Sequence, residues 1–202
     1  MPLFKYRAPT RTTLYACWVV AATAILAPSR VQCQGRTDAS VPPRTALLYH
    51  DTVSFWINPP PGWVIDSEAA KGRGPLAVLY RRGESWRSGD AVMYANVIAL
   101  SDAGPDPLGA TIRAEVAHWS AAAGDAVVTS LPDIRSDNGQ VASVRKFVSP
   151  SRGVHETVAY VRHGASVPLL VLTARSERAL ERAYPDFRRL VKSYGPGPVI
   201  RE

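Results

Sequence analysis

The four histidines of this chain, His50, His118, His155 and His163, are its natural candidates for proton transfer or metal binding. His50 with Asp51 makes a metal-capable pair at the edge of a strand. His155 and His163 flank a strand and share its face, but eight residues at roughly 3.3 Å each put them about 26 Å apart, too far for one metal. His118 adjoins Trp119 on a helix and reads as a border residue. A serine hydrolase presents its nucleophile on a tight elbow, often Gly-x-Ser-x-Gly, and that pentapeptide does not occur. Ser85, in Gly83-Glu84-Ser85-Trp86, lacks the second glycine and reads as a solvated loop serine. Asp102 and Asp106 lack the alternating oxygens and the closing Glu of a calcium loop. Capping explains Asp106 better, and Asp133 reads as a further loop acid. Lys71-Gly72-Arg73-Gly74-Pro75 precedes a strand rather than a helix, so it reads as a turn and not as a phosphate cradle. These residues predict no catalytic site, no metal site and no cofactor.

One segment has the composition of a contact surface. Arg81-Arg82-Gly83-Glu84-Ser85-Trp86-Arg87 combines three arginines, Arg81, Arg82 and Arg87, with a tryptophan, types enriched in binding hot spots. Arg81, Arg82, Trp86 and Arg87 are therefore the candidate binding residues, suited to an acidic protein, a glycan or anionic headgroups. The same loop also fits a solvated hairpin whose Trp86 folds back on the sheet. A second basic surface, Arg178, Arg182, Arg188, Arg189 and Lys192 against Glu177, Glu181 and Asp186, reads as a mixed solvated helix face. A small-ligand carrier or an unrecognised hydrolase would instead need a pocket between sheet and helix. Groups such as Tyr94, Asn96, His118 and His155 would have to converge in it.

These residues must be positioned by one small domain. The 202 residues carry a formal charge of +7, which suggests a polyanionic partner. Four of the basic residues, Lys5, Arg7, Arg11 and Arg30, sit in the first 33 positions with no acid beside them. The rest of the chain is nearly neutral, and no specific nucleic-acid partner is expected. Residues 1–33 read as a secretory signal peptide. A basic region is followed by the apolar run 14–27, LYACWVVAATAILA. As a helix that run spans about 21 Å, short of a bilayer core of about 30 Å, so no stable membrane span is expected after cleavage. Val31-Gln32-Cys33 suits a cut after Cys33. Arg30-Val31-Gln32 is a poor lipobox, so lipid anchoring at Cys33 is the lesser alternative. Both cysteines, Cys17 and Cys33, lie in or at the edge of this leader. The domain is therefore expected to hold no disulfide and no cysteine metal site, and the chain is expected to be exported, periplasmic or extracellular.

Residues 34–46 read as a flexible linker, 47–194 as one globular α+β domain, and 195–202, which begins Gly-Pro-Gly-Pro, as a tail. Val53, Phe55 and Ile57 alternate with polar or exposed positions, giving a half-buried strand that stops at Pro59-Pro60-Pro61-Gly62. Short strands follow at 63–65 and 76–82, and 91–100 is longer, leaving 83–90 as a hairpin loop. Asp106 and Pro107 start a helix whose apolar face is Leu108, Ile112, Val116, Trp119 and Ala123, with Gly124 as its C-cap. Strands at 126–131, 140–148, 154–162 and 167–174 come next. The last, VPLLVLTA, is apolar on both faces and is expected to be covered on both sides. Ser176 caps a second helix, in which Pro185 predicts a kink or two short helices meeting near Tyr184. Hairpin turns dominate, so the sheet is expected to be mainly antiparallel, with helices on its faces.

Three stretches of this pattern resemble the PsbP-like family, including its exported bacterial domains. FWINPPPGW (55–63) is similar to the family's opening strand, proline turn and Gly-Trp pair. VPLLVLTAR (167–175) leads straight into the last helix, and YPDFRRLVKSY (184–194) resembles the closing helix. The resemblance covers about 47–194. It implies an antiparallel sheet sandwiched by helices, an accessory, assembly or binding role toward a protein or other envelope component, and no enzyme activity.

Overall fold

The computed structural model describes residues 45–198, apart from 52, 73 and 103. The expected signal peptide with Cys17 and Cys33, residues 34–44 of the expected linker and the last residues, 199–202, lie outside the described residues. Among the described residues no helix is long and apolar enough to cross a membrane.

Ten strands and two α-helices succeed one another in the described chain. Ala46–His50 (β1), Val53–Ile57 (β2), Trp63–Asp66 (β3), Ala77–Arg81 (β4) and Ala91–Ala99 (β5) precede Pro107–Ala122 (α1). Val127–Arg135 (β6), Val141–Ser149 (β7), Val154–Val161 (β8) and Ser166–Ala174 (β9) then lead into Glu177–Lys192 (α2) and the two-residue strand Gly195–Pro196 (β10). The strands form a seven-stranded sheet in the order β3-β4-β5-β9-β8-β7-β6 and a three-stranded sheet in the order β1-β2-β10. Every pairing is antiparallel. The chain is thus α+β, with a mainly antiparallel sheet flanked by helices.

The central strand dictates the layers. Successive residues of β9 point to opposite faces of the sheet. Leu170, Leu172 and Ala174 join a core with Phe55 and Ile57 of β2 and Leu180, Phe187, Leu190 and Val191 of α2. Val167, Leu169 and Val171 join a second core with Phe147 and with Leu108, Ile112, Val116 and Trp119 of α1. Both faces of β9 are dry, as its doubly apolar sequence requires.

The two helices cover their faces unequally. In α2, seven residues are buried, whereas α1 buries only Thr111 and Ile112. The first helix starts as its sequence predicts: Asp106 accepts a 3.0 Å hydrogen bond from Gly109 N–H, and Pro107 occupies the first turn. It ends at Ala123, and Gly124 is not in the left-handed region that a glycine C-cap would use. Asp133 is not in a loop; it lies within β6 at a register shift between Leu131 and Ile134. The expected tail begins with ordered backbone, since Gly195 and Pro196 pair with Trp56 and Phe55.

The expected break at Pro185 does not occur, because α2 is one continuous helix with Pro185 inside it. Proline removes the donor that would meet the Glu181 carbonyl. Both residues are exposed, so water can satisfy that carbonyl. Meanwhile Leu180, Ala183, Phe187, Leu190 and Val191 remain locked in the core along the opposite face. Replacing Pro185 by Ala restores the donor without touching that face. Thermal and urea denaturation of Pro185→Ala should therefore show a gain of about 1 kcal/mol or more. A lowered midpoint would mean that the proline ring stabilises the helix as it stands.

Candidate functional site

The hairpin between β4 and β5 and the start of α2 form one seam. Gly83, at φ +87°, turns the chain out of β4 in a conformation that side chains resist. Ser85 and Ser88 then clamp the loop reciprocally: Ser85 N–H donates to Ser88 Oγ at 3.0 Å, and Ser88 N–H to Ser85 Oγ at 3.2 Å. The Ser85 hydroxyl shapes the turn and has no base beside it. Arg175, just ahead of α2, donates from its guanidinium to the Arg87 carbonyl at 2.6 Å, and its backbone N–H donates to the Asp90 carbonyl at 2.9 Å. Arg182 of α2 lies 3.9 Å from the Asp90 carboxylate. The hairpin is thus held rigidly against the helix.

The four candidate binding residues separate into two groups. Arg82 and Arg87 are exposed on the hairpin, with Trp86 half-buried between them in sequence. Arg81 belongs to a different constellation. Asp186 of α2, with 12% of its side chain exposed, accepts from Arg81 at 3.0 Å and Arg189 at 2.7 Å. Its Oδ2 also accepts the Trp63 indole N–H at 3.0 Å. The Arg81 guanidinium sits 5.1 Å from the Trp63 ring centroid, a cation–π contact. Asp186, counted by sequence among the solvated acids of α2, is instead buried as the hub of this network. Trp63, Asp186 and Arg189 are the functional-site neighbours that sequence reasoning missed. The only hint was the indole of the Gly-Trp pair, which needs an acceptor when buried.

This architecture matches a known fold. The solution structure of cyanobacterial PsbP from Synechocystis sp. PCC 6803 aligns with a TM-score of 0.50 at 14% identity, covering 81% of this chain and 99% of that one. The chain has the PsbP-like fold. The crystal structure of the Saccharomyces cerevisiae Ran-binding protein Mog1p gives a TM-score of 0.49 at 12% identity, covering 76% of this chain and 94% of that one. No family model and no curated protein matches the sequence.

On this PsbP-like frame the remaining candidates are dispersed. Tyr94 of β5 is half-buried against the α1-side core, and Asn96 is buried with its Oδ1 accepting from Val97 N–H at 2.9 Å. His118 is exposed on α1, and His155 of β8 is half-buried. None of the four lines either of two surface cavities. The smaller, about 190 Å³, lies at the seam and is lined by Arg81, Glu84, Asp90, Ala91, Ala179, Arg182 and Ala183. Two guanidinium groups and two carboxylates offer it hydrogen-bonding capacity, but no nucleophile and no imidazole. The larger, about 470 Å³, lies between α1 and the β6–β7 edge. Among the described residues no three of His, Cys, Asp or Glu come together.

His50 stands 3.9 Å from Asp51, which adopts a positive φ of 33° in the β1–β2 turn. His163 lies beyond the end of β8, in the turn to β9, and its Nδ1 shares a 2.9 Å hydrogen bond with the Tyr194 hydroxyl. Burial holds the His163 imidazole below its ordinary value of 6.5, and burial pushes the Tyr194 hydroxyl up, so that it stays protonated.

The Asp186 network and the His163 contact can each be tested by substitution. Asp186→Ala leaves a buried indole N–H without an acceptor and should lower stability by about 2–4 kcal/mol in urea denaturation. Arg81→Ala should cost below about 1 kcal/mol, because Arg81 is half exposed and solvent screens its charge. Equal losses in the two variants would refute Asp186 as the hub. For His163 the folded pKa is the lower one, so the unfolded state binds more protons just below pH 6.5. Stability is complete above that value and declines as pH falls through it. His163→Gln should flatten this part of the stability–pH curve, and an unchanged slope would assign the decline to other groups.

Proposed function

We propose that this chain is a non-enzymatic, exported binding or accessory domain of the cell envelope. It docks onto an acidic protein surface through the hairpin of residues 82–90 and the first turns of α2. One observation carries the reading: Arg82, Arg87 and Arg178 are exposed on this seam and form no ion pair among the described residues. Trp86 lies in the same hairpin, and a rigid aromatic beside exposed guanidinium groups is the composition of an interface hot spot. The serine clamp and the Arg175 tether hold the loop in one shape, so little conformational freedom is lost on docking. Arg81 takes no direct part; its guanidinium is committed to Asp186 and Trp63. The basic leader with its apolar run supports export. The resemblance to PsbP-like domains, which mostly act as accessory, assembly or binding modules, supports a role without catalysis.

The test is capture from the envelope fraction of the native host, with the exported chain as bait. Arg82→Glu combined with Arg87→Glu should weaken capture of the bound protein about tenfold or more, and Trp86→Ala should weaken it comparably. Arg188→Glu, elsewhere on α2, should leave capture unchanged. Undiminished capture by the double variant would refute the seam as the docking surface. N-terminal sequencing of the exported bait should begin at Gln34, and an intact Met1 would refute cleavage after Cys33.

A further inference from the structure

The second helix buries seven residues on its face of the sheet, while α1 covers β9 on the other and leaves a cavity at the β6–β7 edge. Leu108, Val116 and Trp119 of α1 point toward the sheet yet stay half-buried. The helix is only weakly amphipathic, with Ala114, Ala117, Ala121 and Ala122 on its surface as well. Protein interiors pack densely, so a gap beside apolar side chains needs a cause. Arg145 of β7 shares the α1-side face with Phe147 and lines that gap.

The gap is the cavity of about 470 Å³, within the range of roughly 300–1,000 Å³ usual for small-molecule sites. Ile112, Val116 and Ala117 of α1 and Val128 of β6 give it apolar walls. Arg145 and Arg113 bring two guanidinium groups to the same space. Arg145 is half-buried, donates to the Val144 carbonyl at 2.9 Å, and forms no ion pair among the described residues. Glu115 of α1 forms no ion pair with it, and burial raises that carboxyl above its usual range; Glu115, Glu156 and Arg145 all act electrostatically on the buried Tyr160. Arg113 lies 3.7 Å from Asp106, whose other oxygen caps the helix. A half-buried guanidinium with spare donors and no direct ion pair suits an incoming carboxylate, which it can hold in fork geometry.

We propose that this slot between α1 and the β6–β7 edge binds a small amphiphilic carboxylate. The apolar body lies along Val116, Ala117 and Val128, and the carboxylate is held by Arg145 with Arg113. This site lies on the face of the sheet opposite α2, away from the hairpin seam, and is independent of the docking role proposed for that seam.

Calorimetric titration of the exported chain with decanoate, below its micellar concentration, tests the assignment. Decanoate should bind, while decanol, which lacks the charge, and inorganic phosphate, which lacks the tail, should each bind about tenfold more weakly or less. Arg145→Leu should reduce decanoate affinity about tenfold or more without lowering the thermal midpoint, because leucine fills the space that the guanidinium held open. Ala117→Phe, on the helix surface at the mouth of the slot, should block it and leave Arg145 in place. Equal binding of decanol and decanoate, or of phosphate and decanoate, would overturn the proposal. So would a loss of decanoate binding in Arg145→Leu that came only with a lowered midpoint while Ala117→Phe bound normally. Arg145-dependent capture by phosphatidylglycerol vesicles without binding of free decanoate would overturn it too, and make this face a membrane contact instead. Envelope-protein capture by Arg145→Leu should match the parent chain, so the two readings fail separately.

Discussion

No side of β9 can face water, and the rest of the structure is built around that constraint. Val167 to Val171 are all buried, and the strand sits between β5 and β8 in the middle of the large sheet. Burying a side chain of this size is worth about 1.5–3 kcal/mol, so exposing either face would forfeit several such contributions at once. One face is closed by α2 and the small sheet, the other by α1. The C-terminal segment is then used to fasten the layers. Gly197 N–H donates to the Ser54 carbonyl at 2.8 Å, and Asn138 donates to the Tyr194 carbonyl at 3.1 Å. A Gly-Pro pair that could not extend α2 thus becomes the third strand of the small sheet.

The two proposed binding surfaces lie at places where the two faces of the sheet are covered differently. On the α2 face seven helix residues are buried, and at its margin Asp186 gathers Trp63, Arg81 and Arg189. A buried carboxylate must be compensated by donors. Three donors converge on Asp186, and this commits Arg81 to structure. The hairpin arginines have no such acceptor and stay available. On the α1 face a cavity of about 470 Å³ remains beside the helix, and Arg145 lines it.

Much of the fold was legible because it depends on periodicity and on local turn chemistry. Alternation located most of the strands within a residue or two, Asp106 and Ser176 marked the helix starts, and the doubly apolar β9 implied cover on both sides. In the β6–β7 turn Gly139 takes φ +84°, which a glycine adopts without strain. What failed were readings that hang on distant partners. Pro185 argues for a break in an isolated helix, but the core face of α2 overrides it. Asp186 looks like any solvated acid until Trp63, 123 positions earlier, is brought against it. Arg145 carries no local mark that distinguishes a solvated strand residue from one that props open a helix. The hairpin was legible in composition, yet no local signal could separate Arg81 from Arg82, since only contact with Asp186 of α2 and with Trp63 distinguishes their surroundings.

A fold shared at 14% identity constrains layers and register and leaves side-chain chemistry almost free. The residues that make this domain particular are therefore those the layers do not require. Core positions such as Leu170, Phe187 and Ile57 would serve any domain of this architecture. Arg82 and Arg87 are exposed, and Arg145 is a charged residue on a half-buried face that lines a cavity. A half-buried cation without a direct ion pair is disfavoured by desolvation, and the proposed carboxylate ligand would compensate it. The hairpin arginines face water and lose little by being there, which makes them weaker evidence individually and stronger as a group held in one rigid loop. Function in this domain is thus to be sought where the sequence departs from what packing alone would choose.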